Sequence, residues 1–330
     1  MNKTLLIIIS ALFLLAGQSV FADKIDKEIA DARKKTGEVV TCSPLGKVPG
    51  TLTIEEAAKK IRSGMVLRLL PGKYNPIDNV VFEQDRLIIE GNNSGGYVDL
   101  PLYLYGKDCI VRSINIRNVE ADSGVIVDTL ANTITITSGT KRDSAIIANC
   151  AVNRLMIYDN SQDVIVRNTS VVNGVQVKDE GKVIQLRTYT THTVSVYNII
   201  EFGKMDKKGK ITFEKCMFFS DGHLFGGDEA SMKLITLTLN DNLIWCARSL
   251  YRMPKGKTEV KNVDGLKDYF GLGKEIKNVL AKPPLKLVPN EDYGWDRRPG
   301  IFIITSGPGS KKEYGCNMSE SAGIPVPLKD

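Results

Sequence analysis

Between two alternating apolar runs the chain breaks into SLYRMPKGKTEVKN at 249–262, where Arg252 precedes Pro254 and Lys255 and Lys257 follow closely. An arginine flanked by lysines suits an anionic substrate. It can neutralise a carboxylate so that a base removes the adjacent proton, which is the requirement for β-elimination. The same residues also suit an ordinary turn, because proline cannot continue a strand ladder and the residue before it stays extended. A second polar stretch, SDGHLFGGDE at 220–229, carries Asp221, Asp228 and Glu229. The chain has two histidines, His192 and His223, and their separation is not that of a metal-ligand pair.

What must position these groups is a repeat. Apolar alternation of period two recurs as MVLRLLPG at 65, RLIIEG at 86, DCIVRSINIRN at 108, NTITITS at 132 and DVIVRNTSVVN at 163. It continues through KITFEKCMFF at 210 and LITLTLNDNLIW at 234. Such runs are strands. Their starts at 66, 87 and 109 lie about 22 residues apart, the mark of a solenoid. Residues 108–118 and 163–173 share five identities in eleven positions, Asp108/Asp163, Ile110/Ile165, Val111/Val166, Arg112/Arg167 and Asn118/Asn173, all in the same phase. Stacked coils demand that agreement. The phase places Val111, Ile114, Ile116, Val164, Val166, Val171, Ile211, Phe213, Leu237 and Leu239 inside, and Arg112 and Arg167 outside in one ladder. These arginines can meet an anionic glycan or pair with acidic residues on adjacent coils.

Before the first strand, Thr53 and Glu56 have capping-box spacing, and Ile54, Ala57, Ala58 and Ile61 share one face. This predicts a short helix over 53–63 that covers the open end of the stack. The segment TIEEAAKKIRSGMVLRLLPGKYN resembles the opening of right-handed parallel β-helix proteins of the pectate lyase superfold, and the resemblance covers roughly residues 50–262. Asn118, Asn168 and Asn242 are expected at coil corners, since asparagine tolerates left-handed backbone. The expected fold is all-β, a right-handed parallel β-helix of eight or nine coils with a short N-terminal capping helix and an irregular C-terminal tail. Residues 1–22 read as a signal peptide, 23–50 as an N-terminal segment, 51–262 as the β-helix and 263–330 as a capping or wrapping tail.

The resemblance implies chemistry as well. Polygalacturonase-like hydrolysis needs an Asp-Asp pair, and the chain has none. In pectate lyases an Arg-x-Pro-x-x-Arg segment follows a strand ending in asparagines, and its first arginine is the base. Here Arg252, Pro254 and Lys257 follow Asn240-Asp241-Asn242, with lysine in place of the second arginine. By the same resemblance Asp221, Asp228 and Glu229 stand where acidic residues bind calcium, the one cofactor to expect, while Lys257, Arg167 and Arg112 would contact substrate. Chondroitinase B and alginate lyases instead use a lysine and an arginine on neighbouring coils, for which Lys215, Arg167, Arg187 and Lys204 qualify. The expected function is therefore binding of, or β-elimination on, acidic polysaccharide. The alternative is a non-catalytic glycan-binding or envelope β-helix.

The N-terminus has one basic residue, Lys3, then an apolar core from Leu5 to Gly17 and small residues near Ala22. This suits a cleaved signal peptide, hence a secreted or periplasmic protein, better than a membrane anchor, since the run is short for a span of about 20 residues. The full chain carries a net charge of +6 and about +5 without residues 1–22, interspersed rather than concentrated. That disfavours nucleic acid as a partner. A monomer is expected. The six cysteines (Cys42, Cys109, Cys150, Cys216, Cys246, Cys316) lack C-x-x-C spacing, which leaves disulfides and buried thiols equally open.

Overall fold

The computed structural model describes residues 23–76, 79–91, 96–137, 144–158, 163–173, 176–179, 182–185, 198–202, 208–220, 222–227, 229–251, 260–276, 278–281, 285–287 and 302–304. The chain divides into two units, Met1–Thr36 and Gly37–Asp330. In the first, residues 23–34 are helical, and Ile25, Ile29 and Ala32 fall on one face. Residues 1–22, read from the sequence as a signal peptide, lie outside the described residues. Among those described, no helix is long and apolar enough to cross a membrane.

The second unit is a right-handed parallel β-helix. One sheet stacks ten parallel strands, beginning Val39–Cys42, Val66–Leu69, Ile88–Gly91, Ile110–Arg112 and Gly124–Val127. It continues through Ala145–Ala148, Asp163–Arg167, Gly209–Glu214, Ile235–Asn240 and Gly271–Ile276. Ten rungs exceed the eight or nine coils expected. The sheets also run past the 51–262 span, through Val39–Cys42 at one end and Gly271–Ile276 and Val279–Leu280 at the other. The first of these strands is short, and the last rung is glycine-bearing with a bulge against Leu237–Leu239, so neither shows a clear alternation.

Inward residues form one core. All ten positions assigned inward by phase are buried in it, Val166 and Phe213 among them at 0 % exposure. The internal sequence match is also explained, because Ile110 stacks on Val125, Val125 on Ile146 and Ile146 on Ile165, three rungs in all. Arg112, Val127, Ala148 and Arg167 form the next column.

The capping helix runs Ile54–Lys60 and closes its box as the sequence predicts: Glu56 N donates to Thr53 Oγ1 at 3.3 Å, and Thr53 N donates to Glu56 Oε2 at 3.0 Å. It ends earlier than Ser63 because Ile61 turns extended and buries its side chain in the core. Arg62 then donates to the carbonyls of Lys59 and Ile61, both at 3.0 Å. These carbonyls would otherwise lack partners at a helix end.

After six of the first-sheet strands, from Ile110–Arg112 to Ile235–Asn240, the chain turns through a single left-handed residue. These are Ser113, Asp128, Asn149, Asn168, Lys215 and Asp241, with φ between 46° and 51°. Asn168 occupies such a corner as expected, and Asn242 follows one, fully buried. Asn118 also lies at a bend, between the second and third faces, but within the strand Asn115–Ala121 and without left-handed backbone; the left-handed residue of that coil is Ser113. The left-handed turn aims a carbonyl inward, and the next side chain serves it. Thr129 and Thr169 hydroxyls donate to the carbonyls of Val127 and Arg167, both at 3.0 Å. The thiols of Cys150 and Cys216 do the same to Ala148 and Glu214 at 3.2 and 3.3 Å. All five described cysteines are free thiols, four of them buried, while Cys316 lies outside the described residues.

The long strands of the second sheet, Asn115–Ala121, Leu130–Ile136 and Ala151–Ile157, bend partway along their length. Arg117–Asn118, Asn132–Thr133 and their neighbours are consecutive residues off the core, after which alternation resumes with Val119, Ile134 and Leu155 inside. Each coil thus has three faces. The third begins after this bend and presents residues 120, 135 and 156 and their neighbours outward.

Candidate functional site

The two polar stretches meet at the C-terminal coils. The strand Ser249–Tyr251, which leads into Arg252, pairs in parallel with His223–Gly227, which runs between Asp221 and Asp228. His223 aligns with Ser249 and Phe225 with Tyr251, with no coil between them. Arg252, Lys257, Asp221 and Asp228 themselves lie outside the described residues. Glu229 opens a short helix, Glu229–Met232, and its carboxylate is 3.0 Å from Lys233 Nζ. Among the described residues no three His, Cys, Asp or Glu side chains are grouped to hold a metal ion.

His223 is buried, and its Nδ1 lies 2.6 Å from Ser249 Oγ. Ser249 Oγ donates to the carbonyl of Tyr251 at 2.8 Å. A hydroxyl has one proton, so the serine accepts from Nδ1–H. That arrangement ties the two strands together, and it is the reverse of a histidine activating a serine.

Arg112 and Arg167 do share a column, as the ladder reading expects, and each faces a carboxylate. Glu90 receives a fork from Arg112 (2.7 and 3.1 Å) and another from Arg68 (2.7 and 2.9 Å). Arg167 Nε is 3.4 Å from Glu214 Oε2, and both arginine side chains are only 11 % exposed. Burial alone would raise the Glu90 carboxyl, but the hydrogen bonds from Arg112 and Arg68 outweigh it and hold it below the usual carboxylate range. Glu90 therefore contributes stability above its unfolded value of about 4.3 and loses it as pH falls through the lower folded value. Glu90→Gln should melt below wild type at neutral pH, with a deficit that narrows as pH falls below the unfolded value of about 4.3. Parallel melting curves across that range check it; a deficit constant with pH would show that the charge is not what matters.

The third face carries groups that the sequence reading missed. One column reads Tyr103, Glu120, Thr135, Met156, Glu201. Beside it, Tyr105, Asp122, Thr137 and Tyr158 stack on successive rungs, each backbone N–H donating to the coil before it. Tyr105 Oη donates to Glu120 at 2.6 Å and Thr137 Oγ1 to Asp122 at 2.6 Å. Arg154 approaches Glu201 at 3.7 Å. Burial, with the Glu120 hydrogen bond second, pushes the Tyr105 hydroxyl well above its ordinary value. Lys215, a candidate of the second lyase type, stands at an exposed corner, and Lys204 and Arg187 lie outside the described residues.

The fold and these sites define the chain as a right-handed parallel β-helix protein. No family model matches it, and no curated protein does. Among solved structures it is similar to the crystal structure of pectate lyase Pel9A, at 10% identity and a TM-score of 0.43, over 77% of this chain and 79% of that one.

Proposed function

We propose that the protein is exported, as a monomer, and acts on acidic polysaccharide by β-elimination at its C-terminal coils. The observation that supports this is the direct pairing of Ser249–Tyr251 with His223–Gly227, which sets the lead into Arg252 beside the strand bounded by Asp221 and Asp228. In this reading Arg252 takes the proton from the carbon next to the uronate carboxylate. The electron pair left behind forms a double bond in the ring, and the glycosidic oxygen departs. Arginine can do this only where its surroundings lower a pKa that ordinarily exceeds about 12. Lys257 contacts the substrate. Asp221, Asp228 and Glu229 would hold a calcium ion, whose contribution is to neutralise the uronate carboxylate.

The test is incubation of the purified protein with polygalacturonate and alginate, followed by ultraviolet absorbance of unsaturated products. Growth of that absorbance is expected, its loss on chelation, and its return with added calcium. Asp221→Ala should need more calcium for the same rate, since one oxygen ligand is gone while the base remains. No absorbance on either polymer would sink the lyase reading.

A second reading has an observation of its own. Arg112 and Arg167 already face Glu90 and Glu214, which suits a non-catalytic exported β-helix that binds glycan or serves in an envelope. Binding of polygalacturonate without unsaturated product is its signature.

A further inference from the structure

We propose that the N-terminal half of the third face is a separate binding site for a neutral oligosaccharide, lying along the β-helix axis. The column Tyr105–Asp122–Thr137–Tyr158 places two half-buried tyrosines three rungs apart. At about 4.8 Å per rung they are separated by roughly 14 Å, with a carboxylate and a hydroxyl between them. Tyr103 lies beside Tyr105 on the same face, two residues earlier. Tyrosine offers an apolar ring face with a polar tip, which suits a sugar's apolar face and its hydroxyl rim. In the proposed site the rings cap the two ends of the polar stretch, the Tyr158 hydroxyl lying 3.9 Å from Met156 Sδ.

The polar groups of this stretch already receive hydroxyls. Glu120 accepts the Tyr105 hydroxyl and Asp122 the Thr137 hydroxyl, both at 2.6 Å. An ionised carboxylate has about four acceptor sites, so Glu120 keeps capacity for sugar hydroxyls after that bond. Charge then selects the class of glycan. Among the described residues of this face, Glu83, Glu120, Asp122 and Glu201 stand against one guanidinium, Arg154, and that guanidinium faces Glu201. A polyuronate would meet net repulsion here, whereas a neutral glycan would not. The site is thus distinct in position and ligand from the C-terminal coils, and it stands whether or not those coils catalyse elimination.

Calorimetric titration of the full chain with xylohexaose, cellohexaose, mannohexaose and hexagalacturonate tests it. At least one neutral hexasaccharide should bind. Tyr158→Ala and Tyr105→Ala should each weaken that binding about tenfold or more, a change of about 1.4 kcal/mol, while Tyr158→Phe, which keeps the ring, should retain it. Melting temperatures of all variants distinguish lost contact from lost fold. Arg252→Ala should bind the neutral sugar as wild type does, so the two sites can fail independently. No binding of any neutral hexasaccharide overturns the proposal, as does binding untouched by both alanine substitutions. Hexagalacturonate binding that Tyr158→Ala abolishes overturns the choice of a neutral ligand.

Discussion

Phe225→Ala should destabilise the fold by about 3–5 kcal/mol. The ring is fully buried and touches three others: Phe202 at 5.8 Å, Phe213 at 6.2 Å and Phe270 at 5.5 Å between centroids. Phe202 and Phe270 also meet each other edge-on at 5.5 Å, so removing Phe225 empties the middle of a cluster whose members are fixed by one another. The loss combines transfer of the side chain, the cavity left behind, and ring pairs worth about 0.5–1.5 kcal/mol each beyond area burial. Urea unfolding should show a large fall in midpoint with little change in slope. A shift under about 1 kcal/mol would place the ring outside the core. Because Phe225 lies in the strand paired with Ser249–Tyr251, the variant should also lose whatever activity the C-terminal coils have.

Arg252→Ala is expected to separate activity from stability. If Arg252 is the base, uronate elimination should fall by about 10²–10⁴-fold, the usual contribution of a positioned proton acceptor. The melting temperature should hardly move, since a residue just past a strand end has little packing to lose. Product absorbance and thermal melts on one preparation decide the matter. Full activity in this variant would assign the base elsewhere. In an ordinary turn Pro254→Ala would matter more, because proline's restricted backbone is then the only contribution at stake.

The core was legible because period-two alternation fixes phase, and phase is what burial selects: Val111, Val166 and Leu239 needed no knowledge of which strand was neighbour to which. The 108–118 and 163–173 match was legible for the same reason, as equivalent residues recur in one column. Rung spacing was less legible. Ile110 and Val125 are neighbours 15 residues apart, whereas Ile165 and Thr212 are 47 apart. The undercount of coils came instead from the ends, since Val39–Cys42 and Gly271–Ile276 lie outside the 51–262 span where the alternation is readable. The partner of Arg167 was hidden by the irregular rung spacing, since Glu214 sits 47 residues away, whereas Glu90 lies at the regular spacing of 22 from Arg112. Tyr105, Asp122, Thr137 and Tyr158 have no common spacing and line up only once each rung is paired. A signal was available, namely the outward position just after each inward pair, but it needed the register first. Asn118 does stand at a bend, but an extended one, so the left-handed tolerance of asparagine is not what places it there.

The thiols of Cys150 and Cys216 are sealed by the corners they serve, each bonded to carbonyls two residues back and one rung away. That protection exists only after the coil has closed. In the unfolded chain the same sulfurs meet solvent, oxidants and one another, and a cross-link formed then would hold apart residues that must later lie on different rungs. Replacing both sulfurs with hydroxyls, as Thr129 and Thr169 show at equivalent corners, would keep the corner bond and remove that hazard.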